Sequence, residues 1–395
     1  MLKTKDRGIT LIALVITIII LLILAGISIS ALTNQGLFGK AKEAKEKSKQ
    51  AEVNQAKTLN EYEDELNKYM PGNNVKKVKD NIGKVLSTTD NIELQDEYGN
   101  KIVVPAGFKI TNDAITVDKG IVVEDATSAA TNGSQFVWVP VGKINTDEKR
   151  TEDNIKTIVL GRFDFDSSTG TESEYSGSYV EEDVNKESAL KKYGNKIAKN
   201  ITKFQNSVST NGGYYIGRYE AGVTGYDANN ITTENSNQDT NWTGYTNATG
   251  QKLQVVSKAN QQVWNYVTQN KAADLAQKMY DSPKFTSDLM NSYAWDTAIT
   301  FIQKCTDKTN YANETSANKG SAPVQTGTTT DNTCNIFDMA SNVMEWTTET
   351  SNNSRIPCVR RGGYYYRSNF YTSYRGIGTT SSSNANIGFR PLLYL

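Results

Sequence analysis

The longest apolar stretch of the chain lies close to its N-terminus. Residues 9–29 carry no charge, and a run of roughly twenty apolar or small residues is long enough for one helix to cross a bilayer. From Ala41 to Tyr69, small or weakly apolar residues recur at alternating steps of three and four in a Lys/Glu-rich sequence. This pattern predicts a transmembrane and stalk helix over 9–70 that ends at Pro71-Gly72. A solvated charged helix without a partner fits equally well, and in both interpretations the stalk is a spacer.

The rest of the chain shows shorter patterns, after a predicted polar linker over 71–88. Runs rich in β-formers and bounded by Gly, Asn and Asp predict strands at 101–105, 121–124 and 135–140. Apolar residues at helical spacing predict helices over 260–280 and 293–305. Polar stretches at about 143–210 and 225–250 predict loops. We therefore expect an α+β domain over 89–395 with much irregular structure.

The composition of the chain excludes several kinds of catalytic site, metal site and partner. The 395 residues contain no His, which excludes Ser-His-Asp and Cys-His systems and any metal site built on imidazole. Basic and acidic residues balance at 43 each, so no overall field draws the chain to nucleic acid, and we predict no nucleic-acid partner. Binding by this chain should therefore depend on local shape and local chemistry.

The cysteines and paired carboxylates give weaker signals. Cys305, Cys334 and Cys358 lie far apart without a C-x-x-C motif, which argues against a zinc ribbon or a thioredoxin-like site. A bridge between Cys334 and Cys358 would fit an oxidising compartment but would leave one thiol over, so the disulfide state stays open. Pairs such as Asp164 with Asp166 lie in polar stretches, and we interpret them as solvated.

The N-terminus resembles a type IV prepilin signal. A basic leader over 1–8 ends at Gly8, and Ile9-Thr10-Leu11 then opens the apolar helix. The resemblance implies cleavage after Gly8 by a prepilin peptidase, methylation of Ile9, and a membrane-anchored protein whose C-terminal domain is extracellular. Ala13 stands where pilins usually carry Glu, which puts polymerisation in doubt more than cleavage. The alternative is an uncleaved single-span anchor.

A second resemblance covers roughly residues 100–395. Four ordered motifs are similar to the formylglycine-generating-enzyme (sulfatase-modifying factor) family: residues 214–221, 335–346, 361–363 and 388–390. The resemblance implies a C-type-lectin-like fold. Within it we expect Trp346 and Phe389 to fill the core. We expect Arg361 and Arg390 to be structural, paired with Glu345 or with backbone carbonyls.

The family's catalytic chemistry does not carry over with the fold. Oxidase members bind copper through a C-terminal pair of cysteines, and the segment from Arg361 to Arg390 contains none. The sulfoxide-synthase relatives use histidines, which this chain lacks. We therefore predict no enzyme activity and no cofactor. Structural calcium is common in the family, and Asn342 and Glu345 are weak candidate ligands.

The segment between Gly363 and Ile387 has an unusual composition. It is rich in Tyr, Ser and Asn and contains no Lys, Glu, Gln, Met or Trp. Tyrosine offers rigid contact area with a polar tip, and Ser, Asn and Gly offer adaptable hydrogen bonds, as in an antibody paratope. The missing residue types are also those that cannot be reached by changing only the adenines of an AAC codon.

This composition, placed just before Gly388-Phe389-Arg390, resembles the variable region of diversity-generating retroelement target proteins. In that family an error-prone reverse transcriptase rewrites adenine-templated positions of an exposed binding surface. The variable-like region here spans 361–390. The predicted ligand contacts are Tyr364, Tyr366, Arg367, Ser368, Asn369, Tyr371, Ser373, Tyr374 and Arg375.

The interpretation that joins these patterns is a membrane-anchored, surface-displayed protein that binds an unknown protein or glycan through its C-terminal face. An ordinary Tyr/Ser-rich strand and loop face is the plain alternative for that segment. Two other functions stay open: a minor pilin or pseudopilin that serves a type IV filament, and a divergent oxidase of the formylglycine-generating type.

Overall fold

The chain divides into two compact units, Met1–Asn74 and Val75–Leu395, and the second unit is called the head below. The computed structural model describes the head at residues 75–181, 183, 200–224, 253–366 and 369–395. In the first unit it describes residues 18–22, 40, 43–48 and 51, which are helical. Gly8, Ile9 and most of the predicted span lie outside the described residues. Of the helices described, none is long and apolar enough to cross a membrane.

The head mixes helix and sheet and is mostly sheet. In chain order its described strands are β1 Ile92–Gln95, β2 Lys101–Val104, β3 Phe108–Ile110, β4 Val122–Asp125, β5 Gln135–Pro140, β6 Gly142–Asn145, β7 Ile155–Ile158, β8 Phe163–Phe165, β9 Glu172–Glu174, β10 Gly213–Gly217, β11 Gly222–Thr224, β12 Gln254–Val256, β13 Gln262–Val263, β14 Thr286–Leu289, β15 Asn332–Thr333, β16 Ile336–Phe337, β17 Met344–Thr350, β18 Cys358–Arg361, β19 Arg375–Gly378, β20 Ile387–Phe389 and β21 Pro391–Tyr394. The helices are α1 Ile201–Asn211, α2 Gln269–Gln277 and α3 Ser292–Cys305. The predicted strands at β2, β4 and β5 and the predicted helix at α3 are confirmed.

The larger sheet has the strand order β14-β21-β10-β5-β4-β3, and its neighbours pair antiparallel. On its strand β10, the Tyr214 hydroxyl donates to the Ala294 carbonyl of α3 at 2.6 Å, and the Tyr214 ring packs against Phe204 of α1. The next residue, Tyr215, donates to the Val103 carbonyl of β2 at 2.9 Å. Since successive side chains of a strand point to opposite faces, helices cover one face of this sheet and the β1–β2 hairpin covers the other.

A smaller sheet has the order β19-β18-β17-β20 and carries the C-terminal motifs. Its strand β17 is buried along its whole length and pairs antiparallel with β18 and parallel with β20. Trp346 and Phe389 are fully buried in an apolar cluster with Trp264, as the sequence predicts. Strand β19 lies at the edge of this sheet and is part of the Tyr/Ser/Asn segment.

The predicted helix over 260–280 is wrong in its first half. Helix α2 begins only at Gln269, whereas Val263 belongs to β13 and pairs with Gly222. The Trp264 amide donates to the Ala221 carbonyl at 2.8 Å. Pairing with a distant strand therefore overrides the helical spacing of these apolar residues.

The predicted loop over 143–210 is also corrected. It contains strands β6 to β9 and helix α1, whose Phe204 and Val208 are buried in the main core. Asn200 caps α1 by accepting from the Lys203 amide, and Gly212 ends it at a φ of 76°. The predicted loop at 225–250 lies outside the described residues.

The head begins before the predicted boundary at 89. Val78 is fully buried, Lys77 forms a β-bridge with Gln95, and the Gly83 amide donates to the Ile110 carbonyl at 2.8 Å. The part of the predicted linker that the structure describes is therefore packed against the main core.

The C-terminal Gly-Phe-Arg motif ends in a buried ion pair. Arg390 and Glu345 are both fully buried and meet at 2.6 Å (Nη2 to Oε1) and 3.0 Å (Nε to Oε2). Arg390 also donates to the carbonyls of Gly217 at 2.8 Å and Phe337 at 2.7 Å. The prediction that Arg390 pairs with Glu345 and with backbone carbonyls is confirmed.

We expect Arg390→Met to lower the free energy of unfolding by about 3–5 kcal/mol, because it leaves the Glu345 carboxylate buried without a counter-charge. Urea denaturation of the purified protein measures the loss. As a control, Lys79→Met removes an exposed ion pair with Glu97 and should leave the transition unchanged. Equal midpoints for Arg390→Met and the wild type would contradict this assignment.

Candidate ligand-binding site

The described part of the Tyr/Ser/Asn segment exposes three of the predicted contacts. Tyr366 is 67% exposed and Tyr371 is 39% exposed, and Asn369 is also exposed. Arg367 and Ser368 lie outside the described residues. The exposed side chains present the mixture of rings and amides that the sequence predicts for a binding face.

The other predicted contacts lie deeper. Tyr364 and Ser373 are buried, and the Tyr364 ring packs against Phe370 at a centroid distance of 5.3 Å. Tyr374 is half-buried, and the Arg375 side chain is only 10% exposed. Arg375 forms ion pairs inside the head, so the structure places it beneath the binding face.

Contacts with the rest of the head fix the main chain of this segment at Gly363 and Thr372. The Thr372 amide donates to the Glu314 carbonyl at 3.0 Å, and the Thr372 carbonyl accepts from the indole Nε1 of Trp295 at 2.9 Å. At the start of the segment, any Cβ on Gly363 would collide with the Ala340 carbonyl oxygen. The main chain is thus held while several side chains face solvent.

A groove of about 450 Å³ opens beside this segment. One wall comes from the middle of the segment and consists of Tyr371, Ser373, Tyr374 and Arg375. The opposite wall comes from residues 161–181, which we call the strap. The strap residues that line the groove are Asp164, Phe165, Tyr175, Gly177, Ser178 and Tyr179.

Five charged groups form a buried network beneath the groove. Asp296 of α3 accepts from Arg361 and from Arg375, each at 2.5 Å. Glu349 of β17 pairs with Arg375 at 3.1 Å and with Arg162 of the strap. Sequence reasoning expected Arg361 to pair with Glu345 or with carbonyls. The pairing with Glu345 is wrong, because Arg361 pairs with Asp296 instead. The pairing with a backbone carbonyl is confirmed, because Arg361 donates to the Tyr374 carbonyl.

Contacts of the network hold the strap against the Tyr/Ser/Asn segment. The guanidinium of Arg375 lies 4.2 Å from the ring centroid of Tyr175, and that of Arg162 lies 4.4 Å from it. Arg162 also donates to the Tyr179 carbonyl at 2.8 Å, and the Tyr179 amide donates to the Tyr175 hydroxyl at 3.1 Å. Both walls of the groove are therefore held by the same set of charges.

Burial and charge set the protonation of these groups. Burial acts to raise the pKa of the Glu349 carboxyl, but three guanidinium groups, led by Arg375, outweigh it and lower that pKa. Burial raises the pKa values of the phenols of Tyr175, Tyr179 and Tyr374. These three phenols are therefore neutral hydrogen-bonding groups at physiological pH.

Sequence reasoning missed the strap wall. It treated Asp164 as a solvated carboxylate in a loop and assigned no role to Tyr175 or Tyr179. The available signal was composition, because Tyr175-Ser176-Gly177-Ser178-Tyr179 repeats the Tyr/Ser/Gly content of the C-terminal segment. Only the fold brings these two stretches to one groove.

The weak calcium candidates, Asn342 and Glu345, lie in a buried acidic centre. The Asn342 amide nitrogen donates to Glu220 at 2.6 Å, and its oxygen accepts from the Val324 amide at 2.8 Å. Glu345 is held by Arg390, as described above. The described residues contain no cluster of three or more acidic or cysteine side chains arranged to hold a metal ion.

The three thiols are free and shielded. Cys305 and Cys358 are buried and Cys334 is partly exposed. Burial raises the pKa of the Cys334 thiol to about 12 and that of Cys358 to about 12, and it also raises the pKa of Cys305. Such thiols are poor nucleophiles at neutral pH.

Comparison with known proteins finds weak similarity to solved structures. No protein-family profile and no curated protein matches the chain. The crystal structure of CarF is similar at 15% identity and a TM-score of 0.29, over 46% of this chain and 86% of that one. Treponema denticola variable protein 1 is similar at 14% identity and a TM-score of 0.34, over 66% of this chain and 96% of that one. At these values neither likeness assigns a function.

We expect Glu349→Gln to destabilise the head by about 3–5 kcal/mol, because it removes the carboxylate that pairs with Arg162 and Arg375. Guanidinium chloride denaturation measures the effect. Glu174→Gln, on the exposed strand β9 of the same strap, is the matched control and should match the wild type. A loss at Glu349 no greater than that of the control would show that the network does not hold the head together.

A second prediction concerns pH. Burial, with the neighbouring Asp331 carboxylate adding to it, raises the pKa of Asp338 to about 7. The folded state holds the Asp338 proton more tightly than the unfolded state does, so the free energy of unfolding falls as pH rises from the ordinary carboxyl pKa of 3.8 through about 7. For this group alone, the free energy of unfolding should fall by about 1.4 kcal/mol between pH 6 and pH 8.

Asp338→Asn should flatten this dependence, and its φ of 64° suits Asn. Urea midpoints at a series of pH values test the assignment. A wild-type midpoint that rises from pH 6 to pH 8, or an unchanged slope in the Asn variant, would contradict it.

Proposed function

We propose that the head is a ligand-binding module of the C-type-lectin-like class whose C-terminal Tyr/Ser/Asn face binds a partner. One observation carries the proposal: the main chain of the segment is hydrogen-bonded to the rest of the head at Tyr365, Thr372 and Ser373, and the segment exposes the side chains of Tyr366, Asn369 and Tyr371. A rigid backbone with rigid aromatic side chains loses little entropy on binding. This combination suits a surface whose side chains can change without loss of the fold.

The proposal includes diversification of this face by a retroelement. In its support, the segment lacks the residue types that adenine changes in AAC codons cannot produce. The buried positions within the segment, such as Tyr364 and Ser373, should then be constrained by packing, whereas the exposed positions should be free to vary.

We also propose that the N-terminal unit displays the head at the cell surface. The support is the uncharged stretch over 9–29 and the prepilin-like junction at Gly8-Ile9. In this arrangement the lysine- and glutamate-rich region after the apolar stretch is a spacer that holds the binding face away from the membrane.

The proposal is for a binder and not for an oxidase. The thiols of Cys305, Cys334 and Cys358 have raised pKa values and lie outside the groove lining. The groove instead offers phenols, a carboxylate and aromatic faces, which are suited to recognition.

Deep sequencing of the 3′ end of the gene from a population of cells tests the diversification. We expect substitutions confined to adenine-templated codons between Tyr364 and Asn386, concentrated at exposed positions such as Tyr366 and Tyr371. The codons for residues 161–181 serve as the internal control and should be uniform. A uniform 3′ end, or substitutions spread evenly over the gene, would contradict a diversified receptor.

A further inference from the structure

The strap wall is a fixed part of the binding site. It is anchored at its far end as well as by the network, because Val180 forms a β-bridge with Thr350. The next residue, Glu181, accepts from the amide and the hydroxyl of Ser292, each at 2.9 Å. The backbone of this wall and the Tyr175 ring are therefore held in place before any ligand arrives, which lowers the entropic cost of binding.

The charges around the groove are matched within the protein. All three guanidinium nitrogens of Arg375 are in hydrogen bonds, to Glu349, to the Phe163 carbonyl and to Asp296. Three guanidinium groups, those of Arg162, Arg361 and Arg375, face two carboxylates in the network, and Asp164 adds a third carboxylate in the groove lining. Each of these guanidinium groups is paired with a carboxylate inside the head, so an anionic ligand group would find no unpaired cation in the network.

The atoms that stay open to a ligand are uncharged, apart from one carboxylate oxygen of Asp164. Tyr179, Tyr371 and Tyr374 contribute rings and hydroxyls, and Phe165 contributes a ring. Asp164 uses one carboxylate oxygen to accept from the amide and hydroxyl of Ser176, each at 2.9 Å. A concave, aromatic-lined space of this size is typical of a pocket for one anchor side chain of a partner.

We propose that this groove is the anchor pocket of the binding face and takes an uncharged aromatic or aliphatic side chain of a protein ligand. Tyr179 is its fixed contact, opposite Tyr371 of the variable-like segment. The inference rests on the proposed function and deepens it, because it assigns part of the binding energy to residues that diversification would not reach.

Selection of a phage-displayed library of random peptides on the immobilised full-length protein tests the proposal. We expect the selected peptides to share an aromatic or aliphatic residue without adjacent charges. Their affinity should change less than about twofold between low and high salt, because no net charge is paired on binding. Selected peptides with a charged anchor and a steep salt dependence would overturn the proposal.

Variants then locate the contact. Tyr179→Ala keeps the backbone bonds of the strap and should weaken peptide binding by roughly tenfold or more. Tyr179→Phe should retain binding, Ser178→Arg at the exposed rim should impair it, and Tyr98→Ala, outside the groove lining, is the matched control. Circular dichroism and thermal melting show that each variant is folded.

The outcomes separate this proposal from the one on which it rests. Binding that is lost in Tyr366→Ser and Tyr371→Ser but unchanged in Tyr179→Ala and Ser178→Arg would overturn the anchor pocket and leave the binding face standing. Binding unaffected by any of these variants would overturn both. Capture of neutral glycans with no selected peptide would overturn the choice of a protein ligand.

Discussion

The rest of the head depends on the buried network in which Asp296 and Glu349 form ion pairs with the guanidinium groups of Arg162, Arg361 and Arg375. A buried charge that loses its partner costs several kcal/mol, so these groups must all be in place together. They come from α3, β17, β18, the strap and the first residue of β19. One electrostatic condition therefore fixes the position of both walls of the groove.

This arrangement separates the stability of the head from the identity of its exposed side chains. The residues that hold the segment are buried or act through the main chain, as in the contact between Trp295 and the Thr372 carbonyl. The residues that face solvent, such as Tyr366, contribute little packing. The exposed side chains of such a surface, which we call the face, can change without loss of stability. The buried residues beneath them, which we call the frame, supply most of the stability of the fold.

Much of the secondary structure of the head can be predicted from the sequence, but the contacts between residues far apart in the chain cannot. Strand alternation and turn residues predict β5, helical spacing predicts α3, and the C-terminal motif predicts that Arg390 is structural. The pairing of Arg162 with Glu349 joins residues 187 positions apart, and no local pattern specifies it. The role of the strap could not be predicted for the same reason. Its polar sequence forms a wall of the groove only because the fold places it against Arg375.

The most direct measurement is a substitution scan of residues 361–390 in which each variant of the full protein is scored for protease resistance. The separation of frame from face predicts that described exposed positions, such as Tyr366, Asn369 and Tyr371, tolerate most residues. It predicts that Arg361, Gly363 and Arg375 tolerate few. Equal tolerance at buried and exposed positions, or sensitivity concentrated at the exposed tyrosines, would contradict it.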